Sequence, residues 1–191
     1  MTKFRELIEQ ILNIEWEMFR RVRSAAPANC QQAPEAFRKI RGSIFQTWTE
    51  EILEPYLDDL RAAKKMGRNL PEEKYARMDN LIPPLNVHPL IEKIVAIEAA
   101  WQDELKKKYP AIYNRMCRST DPAGNGSNFS VYLRCELETY GNNTLKAYHE
   151  HVRNASEKGE NLSLTALELL LQKGGYRDLL HAENCLSGTL Q

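Results

Sequence analysis

The stretch TKFRELIEQILNIEWEMFRRV, Thr2 to Val22, decides the fold. Its apolar residues Phe4, Leu7, Ile8, Ile11, Leu12, Met18, Phe19 and Val22 recur at three- and four-residue spacing, the period of one face of an α-helix. Thr2 stands where a helix N-cap belongs, and Ala26-Pro27 marks the far limit. Yet the line 4, 8, 11, 15, 18, 22 along this face passes through Glu15. A carboxylate in the middle of an apolar stripe must be paired, hydrogen-bonded, protonated or metal-bound, because burying it bare is unfavourable by several kcal/mol.

The same reading extends outward along the chain. Pro34 suits the first turn of a second helix, where its missing N–H leaves no bond unmade, and Phe37, Ile40, Ile44, Trp48 and Ile52 form its stripe. Pro55 falls inside this pattern and predicts a kink or a break, with the helix resuming through Tyr56, Leu57 and Leu60 to Gly67. A short helix starting at Asn69-Leu70-Pro71 ends before Pro83-Pro84, and a long one runs from about Pro89 to Tyr109-Pro110, with a turn or two more from Pro110 to Arg118. Segment 119–128, STDPAGNGSN, has the Gly, Asp, Asn and Pro content of a flexible surface loop and is the natural candidate for a lid. Helices then follow around Phe129 to Tyr140, from a Thr144 cap, from a Ser163 cap to Gly174-Gly175, and from Tyr176 to about Asn184. No alternating β-pattern and no fixed-period repeat appears, so the expected fold is all-α: an irregular bundle of seven to nine helices with no significant sheet, as a single domain over 1–191.

Composition limits the functional classes. Lys+Arg and Asp+Glu both number 26, so no net positive field draws nucleic acid or an anionic membrane. No apolar run approaches the ~18 residues of a membrane span, and the charged N-terminus has no apolar core of a signal sequence. Cys30, Cys117, Cys135 and Cys185 form no C-x-x-C pair and fit reduced thiols in a cytoplasmic protein. There is no Walker loop, dinucleotide glycine motif or zinc-protease motif.

What remains is misplaced charge. The line 37, 41, 44, 48, 51 carries Arg41 and Glu51 among apolar residues, and the line 129, 132, 136, 140 carries Glu136 among Phe129, Tyr132 and Tyr140; Glu98 lies at the margin of its own stripe. Arg41 is the evident fixed cation for these carboxylates, with Arg68, Lys74, Arg134 and His149 as further options. Trp16, Trp48, Tyr56, Tyr75, Tyr132 and Tyr140 are available as hydrogen-bond donors and aromatic walls. Together these residues describe a polar pocket between helices, centred on Glu15, Arg41, Glu51 and Glu136, with Arg68, Lys74 and Tyr75 at its mouth. A di-iron bundle site would need Glu-x-x-His on two helices, and His149 and His151 lack the Glu; no cofactor is expected, a carboxylate-bound metal being the alternative use of the glutamates.

Glu15-Trp16-Glu17-Met18-Phe19, Cys30-Gln31, Phe37, Arg41, Trp48, Tyr56-Leu57-Asp58-Asp59-Leu60, Gly67-Arg68-Asn69-Leu70, Glu73 to Met78 and Tyr132 to Tyr140 occur in an order that resembles the bacterial family catalogued as domain of unknown function 4125. The resemblance covers most of the chain, ending near Ala182-Glu183. Members of that family joined to a nucleotidyltransferase-like domain imply small-molecule or nucleotide metabolism, but the resemblance supplies no catalytic residues. Two functional expectations follow from the residues. One is a small-molecule enzyme or binding protein using the interhelical pocket; the other is a helical interaction module whose inward charges are structural ion pairs. The oligomeric state is left open by both.

Overall fold

The computed structural model describes residues 2–22, 29–121 and 128–188. Among them are ten α-helices and no strand: α1 Lys3–Phe19, α2 Pro34–Phe45, α3 Glu50–Lys65, α4 Leu70–Met78, α5 Leu90–Lys108, α6 Pro110–Met116, α7 Phe129–Leu137, α8 Asn142–Glu157, α9 Leu162–Lys173 and α10 Leu179–Leu186, with a 3₁₀ turn at Asn29–Gln32 before α2. None is long and apolar enough to cross a membrane among the described residues. The centre of the segment expected to act as a lid, 122–127, lies outside the described residues, as does the Ala26-Pro27 limit of the first helix.

Helix number exceeds the expectation because one long pattern is two helices. The stripe from Phe37 to Ile52 spans a break at 46–49, where Thr49 is extended and α3 begins anew at Glu50. Pro55 therefore falls early in α3, which runs unbroken through it to Lys65. The proline removes only the bond its N–H would make to Glu51. Start signals are otherwise mostly local: Asn69, Asn128, Asn161 and Asp178 each accept a hydrogen bond from a first-turn N–H of α4, α7, α9 and α10. Asn161, and not Ser163, caps α9, while Thr144 sits inside the first turn of α8 behind Gly141.

Asp59 explains the glycine at that entry. Its carboxylate accepts from Gly141 N at 2.8 Å and from Thr144 Oγ1 at 2.6 Å, tying α3 to the start of α8. A Cβ on residue 141 would lie 2.3 Å from the Asp59 Oδ1 atom, so only glycine admits this approach. Glu183 does similar work at the other end, accepting from Ala111 N and Ile112 N and so joining α10 to the start of α6.

α1 packs on α3, α2 and α4, while α5 runs along α8, α7, α9 and α6. The larger apolar core lies between these two groups of helices, and a smaller one gathers Leu105, Ile112, Tyr113, Leu167, Leu171 and Ala182 at the end of α5. At the centre of the larger core the rings of Phe45, Trp48, Tyr56, Tyr140 and Tyr148 are in mutual contact, with centroid separations of 4.9 Å for Trp48–Tyr148 and 4.8 Å for Tyr56–Tyr140. Each such pair contributes about 0.5–1.5 kcal/mol beyond its buried area. Because tyrosines make up much of this cluster, its edge carries hydroxyls, and those hydroxyls determine what can lie above it.

Candidate functional site

Tyr56 of α3 donates to Glu15 Oε1 at 2.5 Å, and Tyr140, just beyond α7, donates to Glu136 Oε1 at 3.0 Å. The two carboxylates, from α1 and α7, are thus seated on the aromatic core by the tips of its rings. Arg41 of α2 lies between them. Its Nε and Nη2 donate to Glu15 Oε2 and Oε1 at 2.9 and 2.6 Å, the fork-to-fork geometry that a lysine cannot reproduce, and its Nη1 donates to Glu136 Oε1 at 2.9 Å. Lys74 of α4 completes the set, donating to Glu136 Oε2 at 3.1 Å and to the Tyr132 hydroxyl at 2.8 Å. Its ammonium also sits 4.0 Å from the Tyr132 ring centroid and 4.9 Å from that of Tyr75.

Two cations and two anions from four helices therefore cancel in a nearly dry layer, the side chains being only 5% to 14% exposed. Burial alone would push the Glu136 carboxyl up, but the Arg41 and Lys74 charges overcome it and hold the group well below the usual carboxylate range. Burial likewise opposes the charge on Lys74, and Glu136 overcomes it, so the ammonium is held above its ordinary value. At neutral pH Glu136 and Lys74 are therefore fixed charges and do not exchange protons. A carboxyl of the opposite character lies behind them: Glu98 of α5, buried and, among the described residues, bonded only by the Tyr148 hydroxyl at 2.5 Å, is raised to about 7 by desolvation, against the lowering effect of that hydrogen bond and aided by the Glu136 charge.

Above the charged layer is a cavity of about 720 Å³, the size of a small-molecule site. Glu15, Arg41, Lys74 and Glu136 form its floor; Phe19, Phe37, Ile40 and Ile44 one wall; Phe129 and Tyr132 another; and Arg115 to Arg118, at the end of α6, part of its rim. Among the described residues, no three His, Cys, Asp or Glu side chains are grouped as metal ligands.

The structure brings together some of the residues singled out in the sequence and separates others. Glu15, Arg41, Glu136, Lys74, Tyr75 and Tyr132 line the cavity, and Tyr140 lies directly beneath it. Glu51 does not belong there. It is exposed in the first turn of α3, where hydrogen bonds from Thr49 and its own backbone N–H keep its carboxyl below the ordinary value. Its assignment failed because the helical register restarts after the break at 46–49. Trp48 is buried in the aromatic core, and Trp16 lies behind the wall with its ring tilted against that of Phe37, centroids 5.2 Å apart; neither lines the cavity. Arg68 is exposed and engaged by Glu73, and Arg134 by Glu92, which leaves Lys74 as the second cation. Glu98, placed at the margin by its sequence stripe, is buried because Ile91, Ile94, Val95, Trp101, Gln102 and Leu105 bury a face whose centre it occupies.

Three contributors were missed. Gln102 follows Glu98 by one helical turn and shares the line 91, 95, 98, 102, 105, so continuing that line would have found it. Arg115 and Arg118 carry no pattern that separates them from ordinary surface arginines.

An all-α protein with a charge-compensated polar layer flooring an interhelical cavity is the class that fold and site define. Within it, residues 5–184 match the model of the family described as "Protein of unknown function (DUF4125)", and the chain belongs to that family. No curated protein and no solved structure matches the chain.

Proposed function

We propose that the protein binds a small molecule in the cavity above the Glu15–Arg41–Glu136–Lys74 layer. One observation carries this reading: four buried charges from four helices meet at the floor of an open cavity and not inside a closed core. Well-packed apolar residues would be at least as stabilising at such positions, so charge-for-charge compensation at a cavity floor favours a role in recognition. The floor keeps donors in reserve. Lys74 uses two of its three N–H bonds and Arg41 three of its five, while the apolar walls can cover the body of a ligand. Glu136, held ionised, suits fixed electrostatic contact and not proton donation.

The test is a metabolite-library thermal-shift screen of the wild type beside Ala36→Trp, which places an indole in the cavity from an exposed position of α2 without touching the floor. Compounds that raise the wild-type melting point and leave Ala36→Trp unmoved support the reading. Compounds that shift both proteins equally, or no shift from any compound, overturn it.

A second reading, an interaction module, draws on exposed Leu81 and Val87 with partly exposed Leu85 in the connection between α4 and α5. Light scattering bears on it: an assembly that the triple serine variant of these residues dissolves favours this reading, and a wild-type monomer counts against it.

A further inference from the structure

Among the described residues, Gln102 is the one side chain that α5 gives to the cavity lining, and it is 8% exposed. Its carboxamide makes no hydrogen bond among them, although a polar side chain so nearly buried is ordinarily bonded to protein. No described side-chain N or O is at once shut off from access and unpartnered, so both polar atoms of this amide keep some access, and the cavity is the space Gln102 lines. Neighbouring polar groups of the lining are engaged. Tyr56 donates to Glu15, Tyr132 accepts from Lys74, and Thr139 Oγ1 donates to the Glu136 carbonyl at 2.7 Å. Glu15, Arg41, Glu136 and Lys74 are matched charge for charge. The Gln102 amide is thus a buried donor and acceptor that the fold itself does not use.

Resting on the reading of the cavity as a ligand site, we infer that its ligand is an uncharged flat ring with a lactam edge, an N–H beside a C=O, which pairs with the Gln102 carboxamide. A carboxamide sets one acceptor oxygen beside an NH₂ donor in a single plane. The lactam edge is its complement: the ring N–H donates to Oε1 while the ring carbonyl accepts from Nε2. A carboxylate offers acceptors only and leaves the Gln102 oxygen unmatched, and a single hydroxyl meets one of the two atoms at a time. The walls suit a flat body. Phe19 and Phe37 lie in one wall with their rings 20° from parallel and centroids 5.3 Å apart, and Phe129 and Tyr132 line another. An uncharged ring also leaves the ion pairs of the floor as they are.

The experiment is a calorimetric and NMR titration of the full chain with the bicyclic lactam carbostyril, its N-methyl derivative, quinoline and quinaldate. Carbostyril is expected to bind about tenfold more tightly than N-methylcarbostyril, which has lost the donor, or quinoline, which lacks the lactam edge. Quinaldate, the anionic comparator, should be weaker than carbostyril. Gln102→Met keeps the side-chain length, removes both polar atoms and breaks no internal hydrogen bond, so its melting point should be held or raised. In this variant carbostyril should fall about tenfold, to the level of its N-methyl derivative. A lactam preference that survives Gln102→Met overturns the pairing. Quinaldate binding at least as tightly as carbostyril overturns the uncharged lactam while the cavity site stands. Carbostyril that binds Ala36→Trp as well as the wild type sits elsewhere, which overturns the placement. Absence of carbostyril binding overturns the inference outright, and the library screen with Ala36→Trp decides the cavity reading separately.

Discussion

Glu98→Gln should make this protein more stable above neutrality and change nothing in mild acid. The carboxyl is buried, accepts a hydrogen bond from Tyr148, and is raised from the ordinary 4.5 to about 7 chiefly by desolvation. Below about pH 4.5 the folded and unfolded chains both hold the proton, and the variant matches the wild type. Between 4.5 and about 7 the folded chain keeps a proton that the unfolded chain releases, so wild-type stability falls as pH rises. Each tenfold change in proton affinity is about 1.4 kcal/mol, so the interval from 4.5 to about 7 amounts to about 3 kcal/mol once the group is ionised in both states. Glutamine keeps the acceptor for the Tyr148 hydroxyl and removes the titration. Urea unfolding followed by tryptophan fluorescence, reporting on buried Trp48 and Trp101, should show a difference near zero at about pH 4 that grows to about 3 kcal/mol at about pH 8. A difference that stays constant across the range, or a variant weaker than the wild type at about pH 8, would refute the reasoning.

Other outcomes follow from the same geometry. Arg41→Met leaves Glu15 and Glu136 without their shared partner and should destabilise the fold by about 3–5 kcal/mol, whereas adding Glu15→Gln and Glu136→Gln to it should restore most of the loss in urea titrations. Gly141→Ala should lower stability by about 1–3 kcal/mol, because its methyl collides with the Asp59 carboxylate; an unchanged unfolding midpoint counts against the tie between α3 and α8. Cys117, whose thiol burial pushes up to about 11, should react with iodoacetamide at about pH 8 far more slowly than a free cysteine, as read by mass spectrometry.

Much of this was legible in the sequence where periodicity acts alone. Glu15 stands in an uninterrupted α1 stripe, and Glu136 in a line with Phe129, Tyr132 and Tyr140, so a wheel places both correctly on the inward side. Arg41 lies within α2 before the break and is likewise placed, while Glu51 lies beyond it and is not. The signal for that break is local chemistry: Thr49 followed by Glu50 and Glu51 is a helix start, a capping-type residue ahead of acidic first-turn positions. Periodicity carried across it assigns the wrong face to everything that follows. Lys74 was one cation among several because pairing is a tertiary fact; Glu73 takes Arg68 and Glu92 takes Arg134, and neither choice is written in spacing. The cavity itself depends on how α2, α4, α5, α6 and α7 stand relative to one another, and no single helix encodes that.

A crystal structure of the wild type grown with the strongest-shifting compound of the library tests the central claim most directly. The account expects ligand density between Lys74, Phe37 and Tyr132, within hydrogen-bond reach of Gln102, above an Arg41–Glu15–Glu136 arrangement that has not moved. Density seated on another surface, with the cavity empty or closed by its own side chains, would contradict it.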